Sequence, residues 1–130
     1  MSTAPTVMLV RVDDATEIVQ ELRVAHSWHQ RFVGLLGQER LDKGAALWLR
    51  PCRSIHTLGM RFPIDVVFLD ARLCVTAVHH HVRPGRLRIA PRVTRSTVEL
   101  AAGCAAAASL VIGERLLTLP RPLVSGRLST

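Results

Sequence analysis

Asp65 lies inside the most apolar stretch of the chain, between Ile64 and Val66, and its position points to chemistry or to a structural charge. An ionised carboxylate withdrawn from water is stable only where donors or cations surround it. His56, Arg61 and the backbone amides of the turn before Asp65 are the nearest donors in sequence. An acid held in this way either fixes the fold or takes part in ligand binding or acid–base catalysis.

A second carboxylate, Glu99, also lies in an apolar, strand-like segment, and Arg31 lies in an amphipathic segment whose apolar face must turn inward. If these segments meet at one opening, an arginine–carboxylate pair there either fixes the amphipathic segment on the sheet or contacts a ligand. We therefore expect a polar pocket around Asp65. Its candidate residues are Arg31, His56, Met60, Arg61, Asp65 and Glu99.

Residues 83–95 form the most positive segment, with five arginines and no acidic residue in a chain of net charge +7. Such a surface can hold phosphates or another polyanion with salt-sensitive affinity. The whole chain has two Trp, three Phe and no Tyr, which is few for a surface that stacks on bases. Nucleic acid or another polyanion is therefore an alternative partner. The candidate anion-binding residues are Arg83, Arg86, Arg88, Arg92 and Arg95.

Three consecutive histidines at residues 79–81 suggest metal binding, because two imidazoles on one strand face can share an ion. Cys52, Cys74 and Cys104 do not supply further ligands at the spacing of a zinc site. We predict no metal site. The sequence also contains no glycine-rich phosphate loop, no dinucleotide fingerprint and no nucleophile elbow, so it predicts no cofactor.

These side chains must be positioned by short strands, because apolar runs of strand length alternate with Gly and Pro turns. The 130 residues predict an α+β, mainly β, single domain over 13–120, with an N-terminal arm or edge strand at 1–12 and a tail at 121–130. Two short helices are expected, near 27–36 and 104–110. Strands are expected near 8–12, 17–25, 45–49, 54–57, 64–69, 73–82, 87–89, 96–101 and 115–119.

Four motifs resemble domain-of-unknown-function family 192, small prokaryotic proteins with no settled activity. They are Arg-Phe-Val-Gly-Leu-Leu-Gly at 31–37, the run at 54–70, Val-Glu-Leu-Ala-Ala-Gly at 98–103 and Val-Ile-Gly-Glu at 111–114. The resemblance covers roughly residues 17–119 and implies a fold similar to an open antiparallel β-barrel. It also places Arg31, Gly34, Pro63, Asp65, Glu99 and Gly103 at family motif positions. Many members have Trp-Met where this chain has His56-Thr57, so a role for His56 extends at most to a subgroup.

The favoured function is a non-enzymatic binding or accessory domain whose pocket around Asp65 receives a small polar ligand or a peptide. One alternative is a hydrolase-like enzyme that uses Asp65 with His56. The other is a polyanion-binding protein that uses residues 83–95. The chain shows no secretory signal and no apolar run that spans a bilayer, which predicts a cytoplasmic location with no membrane partner. Nothing in the sequence indicates the oligomeric state.

Overall fold

The computed structural model describes residues 7–25, 41–57 and 60–121. These residues contain strands throughout and one short helix, which confirms the prediction of a mainly β single domain. The predicted helix near 27–36, including Arg31, lies outside the described residues, as does the chain after residue 121. The elements are β1 (Val7–Arg11), β2 (Glu17–Ala25), β3 (Ala45–Leu49), β4 (Ser54–His56), β5 (Ile64–Asp70), β6 (Val75–Val82), β7 (Leu87–Ile89), β8 (Thr94–Ala101), α1 (Cys104–Ala107) and β9 (Leu116–Pro120).

Seven strands form one sheet in the order β6-β5-β8-β3-β2-β1-β9, while β4 and β7 form a separate pair. Neighbouring strands in the sheet are antiparallel except β2 and β3, which are parallel. β1 lies between β2 and β9, so it is an inner strand, whereas the sequence suggested an arm or an edge strand. Its second neighbour, β9, lies about a hundred residues later in sequence, and local patterning does not reveal so distant a partner.

The sheet is not closed into a barrel, so that part of the expected fold is not confirmed. The edge strands β6 and β9 are not neighbours in the sheet. One isolated bridge, between Cys74 and Arg115, joins the residues that immediately precede them. Closure needs continuous strand pairing around the whole sheet, and a single bridge does not supply it.

Two apolar clusters lie on opposite faces of the sheet. The first includes Val67, Val98 and Ala105 of α1; the second includes Val66 and Ile55 of β4. β5 contributes alternate residues to both clusters because successive side chains of a strand point to opposite faces. The structure thereby confirms that residues 64–69 form a strand buried on both faces, as their continuous apolar run predicts.

α1 is shorter than the predicted helix over 104–110, because the chain turns sharply after it. Ser109 has a left-handed φ of 54°, which ends the helical path. The amide of Leu110 then donates to the carbonyl of Ala105 at 3.0 Å. This turn returns Leu110 to the first cluster, where it is buried together with Ala105.

An ion pair that the sequence analysis did not anticipate ties the end of β1 to the region of α1. Arg11 donates through Nε to Glu114 and through Nη2 to the carbonyl of Ala108. The second carboxylate oxygen of Glu114 accepts the amide of Val111 at 2.6 Å. Both charged side chains are mostly buried, with exposed fractions of 12% and 13%. The pair therefore links β1, the turn after α1 and the turn before β9.

No helix among the described residues has the length and apolar character needed to cross a bilayer. Cys52, Cys74 and Cys104 are all free thiols and all partly buried. They form no disulfide, in agreement with the odd cysteine count.

Candidate functional site

Asp65 is completely buried on β5, and both of its carboxylate oxygens accept backbone hydrogen bonds. Oδ1 accepts the amide of His81 at 2.9 Å. Oδ2 accepts the amides of Gly103 at 3.0 Å and Ala105 at 2.9 Å. The acid is therefore withdrawn from solvent and held by donors, as its apolar setting predicts. The three donors are amides distant in sequence, in place of the nearby donors that the sequence suggested.

These three hydrogen bonds tie a strand irregularity to the start of α1. Between β5 and β6 the register steps from Ile64–Val82 to Val66–His79, so two residues of β6 face Asp65 alone. In that bulge His81 has a left-handed φ of 48°, and its amide turns to the Asp65 carboxylate. Asp65 thus satisfies an amide that the bulge removes from the strand ladder. The geometry gives Asp65 a structural task.

The structure does not bring Asp65 and Glu99 together, because they lie on opposite faces of the sheet. The register of β5 and β8 pairs Asp65 with Leu100, and Val66 with Glu99. Directly opposed residues of an antiparallel pair share a face, and neighbouring pairs alternate between faces. Glu99 is fully buried on the second-cluster face, beside Val66. The opening that was expected to hold both acids is therefore not formed.

The other described residues predicted for the polar pocket do not lie together with Asp65 either. Met60 is buried in the second cluster, on the face opposite Asp65. His56 is half-buried at the end of β4, and Arg61 is exposed. Arg31 lies outside the described residues, so its pairing with a carboxylate stays a prediction.

The three histidines do not follow the regular alternation that the sequence predicts for a strand, because the bulge interrupts it. His79 packs its ring edge-on against Phe68, with centroids 5.7 Å apart. Burial, followed by the positive charges of Arg88 and His80, lowers the pKa of His79 below its ordinary value. His80 and His81 are exposed. In the part of the chain that the structure describes, no three His, Cys, Asp or Glu side chains group as metal ligands would.

The arginine loop, residues 83–95, is solvent-exposed as predicted, with β7 at its centre. Thr57 anchors its first turn: the hydroxyl donates to the carbonyl of Arg83 at 2.6 Å and accepts the amide of Arg86 at 2.8 Å. Arg88 is half-buried, and the other four arginines of the loop are exposed. Leu87 and Ile89 are also exposed, by 58% and 72%. The loop therefore presents positive charge together with apolar side chains.

A pocket that the sequence analysis missed lies where β3 and β5 end and β8 begins. This Trp48 pocket has a volume of about 560 Å³. None of the described residues predicted for the polar pocket lines it. Its lining residues are Trp48, Arg50, Pro51, Asp70, Ala71, Leu73, Arg95 and Ser96.

The polar groups of the Trp48 pocket are partly fixed by the local backbone. The guanidinium of Arg50 stacks on the Trp48 indole, with its Cζ 4.3 Å from the ring centroid. Arg95 donates to the carbonyls of residues 92 and 94 at 3.2 and 3.0 Å. Asp70 Oδ1 accepts the amides of residues 72 and 74, which closes the turn between β5 and β6. Two arginines, one acid and one aromatic ring thus meet in one depression.

Trp48 carries the feature that distinguishes this pocket. The residue is only 7% exposed, and its indole Nε1–H has no hydrogen-bond partner. Among the described residues, Nε1 of Trp48 is the one buried side-chain nitrogen or oxygen without a hydrogen-bond partner. Buried polar groups in folded proteins are nearly always satisfied, by protein atoms or by ordered water, so this donor is an exception within the protein's own hydrogen bonding.

The sequence contained one local signal for this site, an arginine two residues after Trp48. Arg95 reaches the same place only through the pairing of β3 with β8, where Trp48 lies opposite Val98. Strand register is set by contacts between distant segments, so the convergence of the two arginines could not be read from spacing.

Comparisons with known proteins place the chain in a family. The model of domain-of-unknown-function family 192, described as "Uncharacterized ACR", matches residues 8–118. The chain belongs to this family. A UPF0127 protein of Pyrococcus furiosus is 30% identical over 113 residues, which cover 83% of this chain and 95% of the relative. The resemblance noted from the four motifs is thus confirmed.

Two solved structures share the fold of this family member. A protein of unknown function from Novosphingobium aromaticivorans superposes with a TM-score of 0.74 at 16% identity, covering 89% of this chain and 94% of that one. A Sinorhizobium meliloti protein, whose name suggests a transcription regulator, gives a TM-score of 0.72 at 19% identity, covering 91% and 96%. At these identities the likeness concerns the fold alone.

Proposed function

We propose that this family member is a non-enzymatic binding domain that holds a small polar ligand in the Trp48 pocket. The observation that carries the proposal is the convergence of the Trp48 ring, Arg50 and Arg95 on one open pocket. The aromatic surface and the two guanidinium groups supply apolar and polar contacts for a small ligand. The pocket volume is also within the range of small-molecule sites.

The geometry favours binding over the hydrolase-like alternative. A general base needs a lone pair within hydrogen-bond reach of the proton that it removes. Asp65 is fully buried and already accepts three backbone amides, so its oxygens serve the fold. Glu99 lies on the opposite face of the sheet, so the two acids do not form a catalytic pair.

Blocking the pocket tests this function. Ala71 is exposed and lines the pocket, so Ala71→Phe should fill its mouth without disturbing the core. The probes are benzoate, benzamide and benzylamine. Saturation-transfer NMR measures their binding to the wild type and to the variant. We expect at least one probe to bind the wild type and to lose its signal with Ala71→Phe. Ala106→Phe, at an exposed position of α1 outside the pocket, is the matched control and should bind as the wild type does.

Two results would end the proposal. Either none of the three probes binds the wild type, or the Ala71→Phe and Ala106→Phe variants bind the probes equally well.

A second candidate function, binding of a polyanion, is favoured by the exposure of the arginine loop. Four of its five arginines are exposed, and the segment contains no acid. Contacts with phosphates release counterions, so affinity for a 20-mer oligonucleotide or for polyphosphate should fall steeply between 50 and 200 mM salt. Replacing Arg83 and Arg86 by Gln should weaken binding and flatten this salt dependence. An affinity that does not change with salt would remove this candidate.

A further inference from the structure

We propose that the ligand of the Trp48 pocket carries an oxyanion, a carboxylate or a phosphate, which pairs with Arg50 and Arg95 beside the Trp48 ring. This inference rests on the proposed function and specifies the ligand class for the same site.

The two arginines of the pocket are available for a ligand charge. Neither Arg50 nor Arg95 forms a salt bridge with an acid of the described residues. Arg50 lies over the Trp48 ring, and this cation–π contact does not use its N–H groups as hydrogen-bond donors to an acceptor atom. Arg95 uses one nitrogen, Nη1, for its two backbone contacts. A guanidinium has five N–H donors, so both side chains retain donors that match an oxyanion.

The charge balance of the pocket also favours an anion. Among the described lining residues, Asp70 is the single acid, against two arginines. One oxygen of Asp70 already accepts two amides of its own turn, so part of its charge is engaged there. A ligand anion beside Arg50 and Arg95 therefore meets a net positive charge from these described residues.

Apart from Ser96, the other described lining residues are apolar and define the body of the ligand. Trp48, Pro51, Ala71 and Leu73 supply aromatic and aliphatic surface. Small-molecule sites commonly combine such walls with a few converging polar groups that fix orientation. The ligand class is thus a small amphiphilic acid, with an apolar body and one carboxylate or phosphate.

Trp48 lines the pocket, so its indole signal reports on a ligand bound there. The chain has two tryptophans, so a ¹H–¹⁵N spectrum shows two indole signals, and Trp28→Phe identifies the one from Trp48. Benzoate, phenyl phosphate and benzamide are titrated at constant ionic strength. We expect benzoate or phenyl phosphate to shift the Trp48 indole signal. Benzamide, which has the same shape as benzoate and no charge, should bind roughly ten-fold more weakly, because it forfeits the charge-assisted contacts.

Two variants test the arginines separately. Arg50→Met keeps an apolar stem against the indole and removes the charge, and Arg95→Met does the same at the other side of the pocket. Each should weaken binding of the anionic probe roughly ten-fold. Arg23→Met, at an exposed position of β2 outside the pocket, removes the same charge and should leave the affinity unchanged.

The outcomes separate this inference from the function on which it rests. A stronger shift with benzoate than with phenyl phosphate identifies a carboxylate ligand, and the reverse order identifies a phosphate. If benzamide or benzylamine binds as well as the anions, or if all three arginine variants bind alike, the oxyanion inference is overturned while a binding pocket remains. If no probe binds at all, the proposed function fails with it.

Discussion

Asp65 is the residue on which the local structure around β5 depends most. Its carboxylate accepts three amides in a site without access to water. Asp65→Asn places an NH₂ donor against backbone donors and should lower the free energy of unfolding by about 2–4 kcal/mol. Urea denaturation measures this change. Asp13→Asn, at an exposed turn position, is the control and should stay within about 0.5 kcal/mol of the wild type.

An Asp65→Asn variant as stable as Asp13→Asn would show that the three amides do not depend on the charge of Asp65. It would also return Asp65 to the set of possible functional acids.

The pair of Arg11 and Glu114 predicts a pH dependence of stability. Burial alone raises the pKa of Glu114, but the hydrogen bonds from Arg11 and from the Val111 amide outweigh burial, and the net pKa is lowered. A group whose pKa is lower in the folded state stabilises the fold above its unfolded-state pKa, about 4.3 for Glu. That stabilisation is lost as the pH falls through the folded-state pKa.

Glu114→Gln should therefore lower the melting temperature most near pH 7, and the difference from the wild type should shrink as the pH falls below about 4.3. Thermal denaturation between pH 3 and 7 measures this trend. Glu17→Gln, at the exposed start of β2, should show no such convergence. A difference that is constant with pH would contradict the role of the Glu114 charge.

The β6 bulge is the element that positions the amide of His81 for Asp65. His81 is exposed and has a left-handed φ of 48°, a conformation that favours glycine and disfavours β-branched residues. His81→Gly should match or exceed the wild-type stability, whereas His81→Val should lose about 1–2 kcal/mol. At His80, whose φ is not left-handed, the order should reverse, with Val more stable than Gly. Urea denaturation of these four variants tests the bulge. Equal free energies of unfolding for His81→Val and His80→Val would contradict the left-handed conformation of His81.

The sequence predicted most elements but not their pairing. The strand-length segments 17–25 and 64–69 are local signals, and both strands form where they were expected. Whether Glu99 shares a face with Asp65 depends on the register of β5 and β8. A shift of one residue in that register would exchange the faces of the side chains on one strand. The bulge at His81 and the left-handed turn at Ser109 also depend on tertiary contacts, so the histidine alternation and the end of α1 were not foreseen.

At the scale of the whole molecule, the sheet separates its buried residues onto two faces. Glu99 and Met60 lie on the second-cluster face, while Asp65 and Trp48 belong to the first-cluster face. The predicted pocket combined residues from both faces. The Trp48 pocket, by contrast, collects residues from the ends of adjacent strands. In this architecture a site forms most readily at the strand ends, where turns leave the sheet uncovered.

The central claim, that the Trp48 pocket binds a ligand, is tested most directly by mapping backbone amide signals. The full chain is titrated with benzoate, and with benzamide as the neutral comparison. The account predicts that the shifted signals cluster at residues 48–50, 70–73 and 95–96, which line the Trp48 pocket. Signals near His56, Met60 and Glu99 should remain in place. Shifts that cluster around those three residues, with the pocket signals unmoved, would contradict the account and restore the opening that the sequence first suggested.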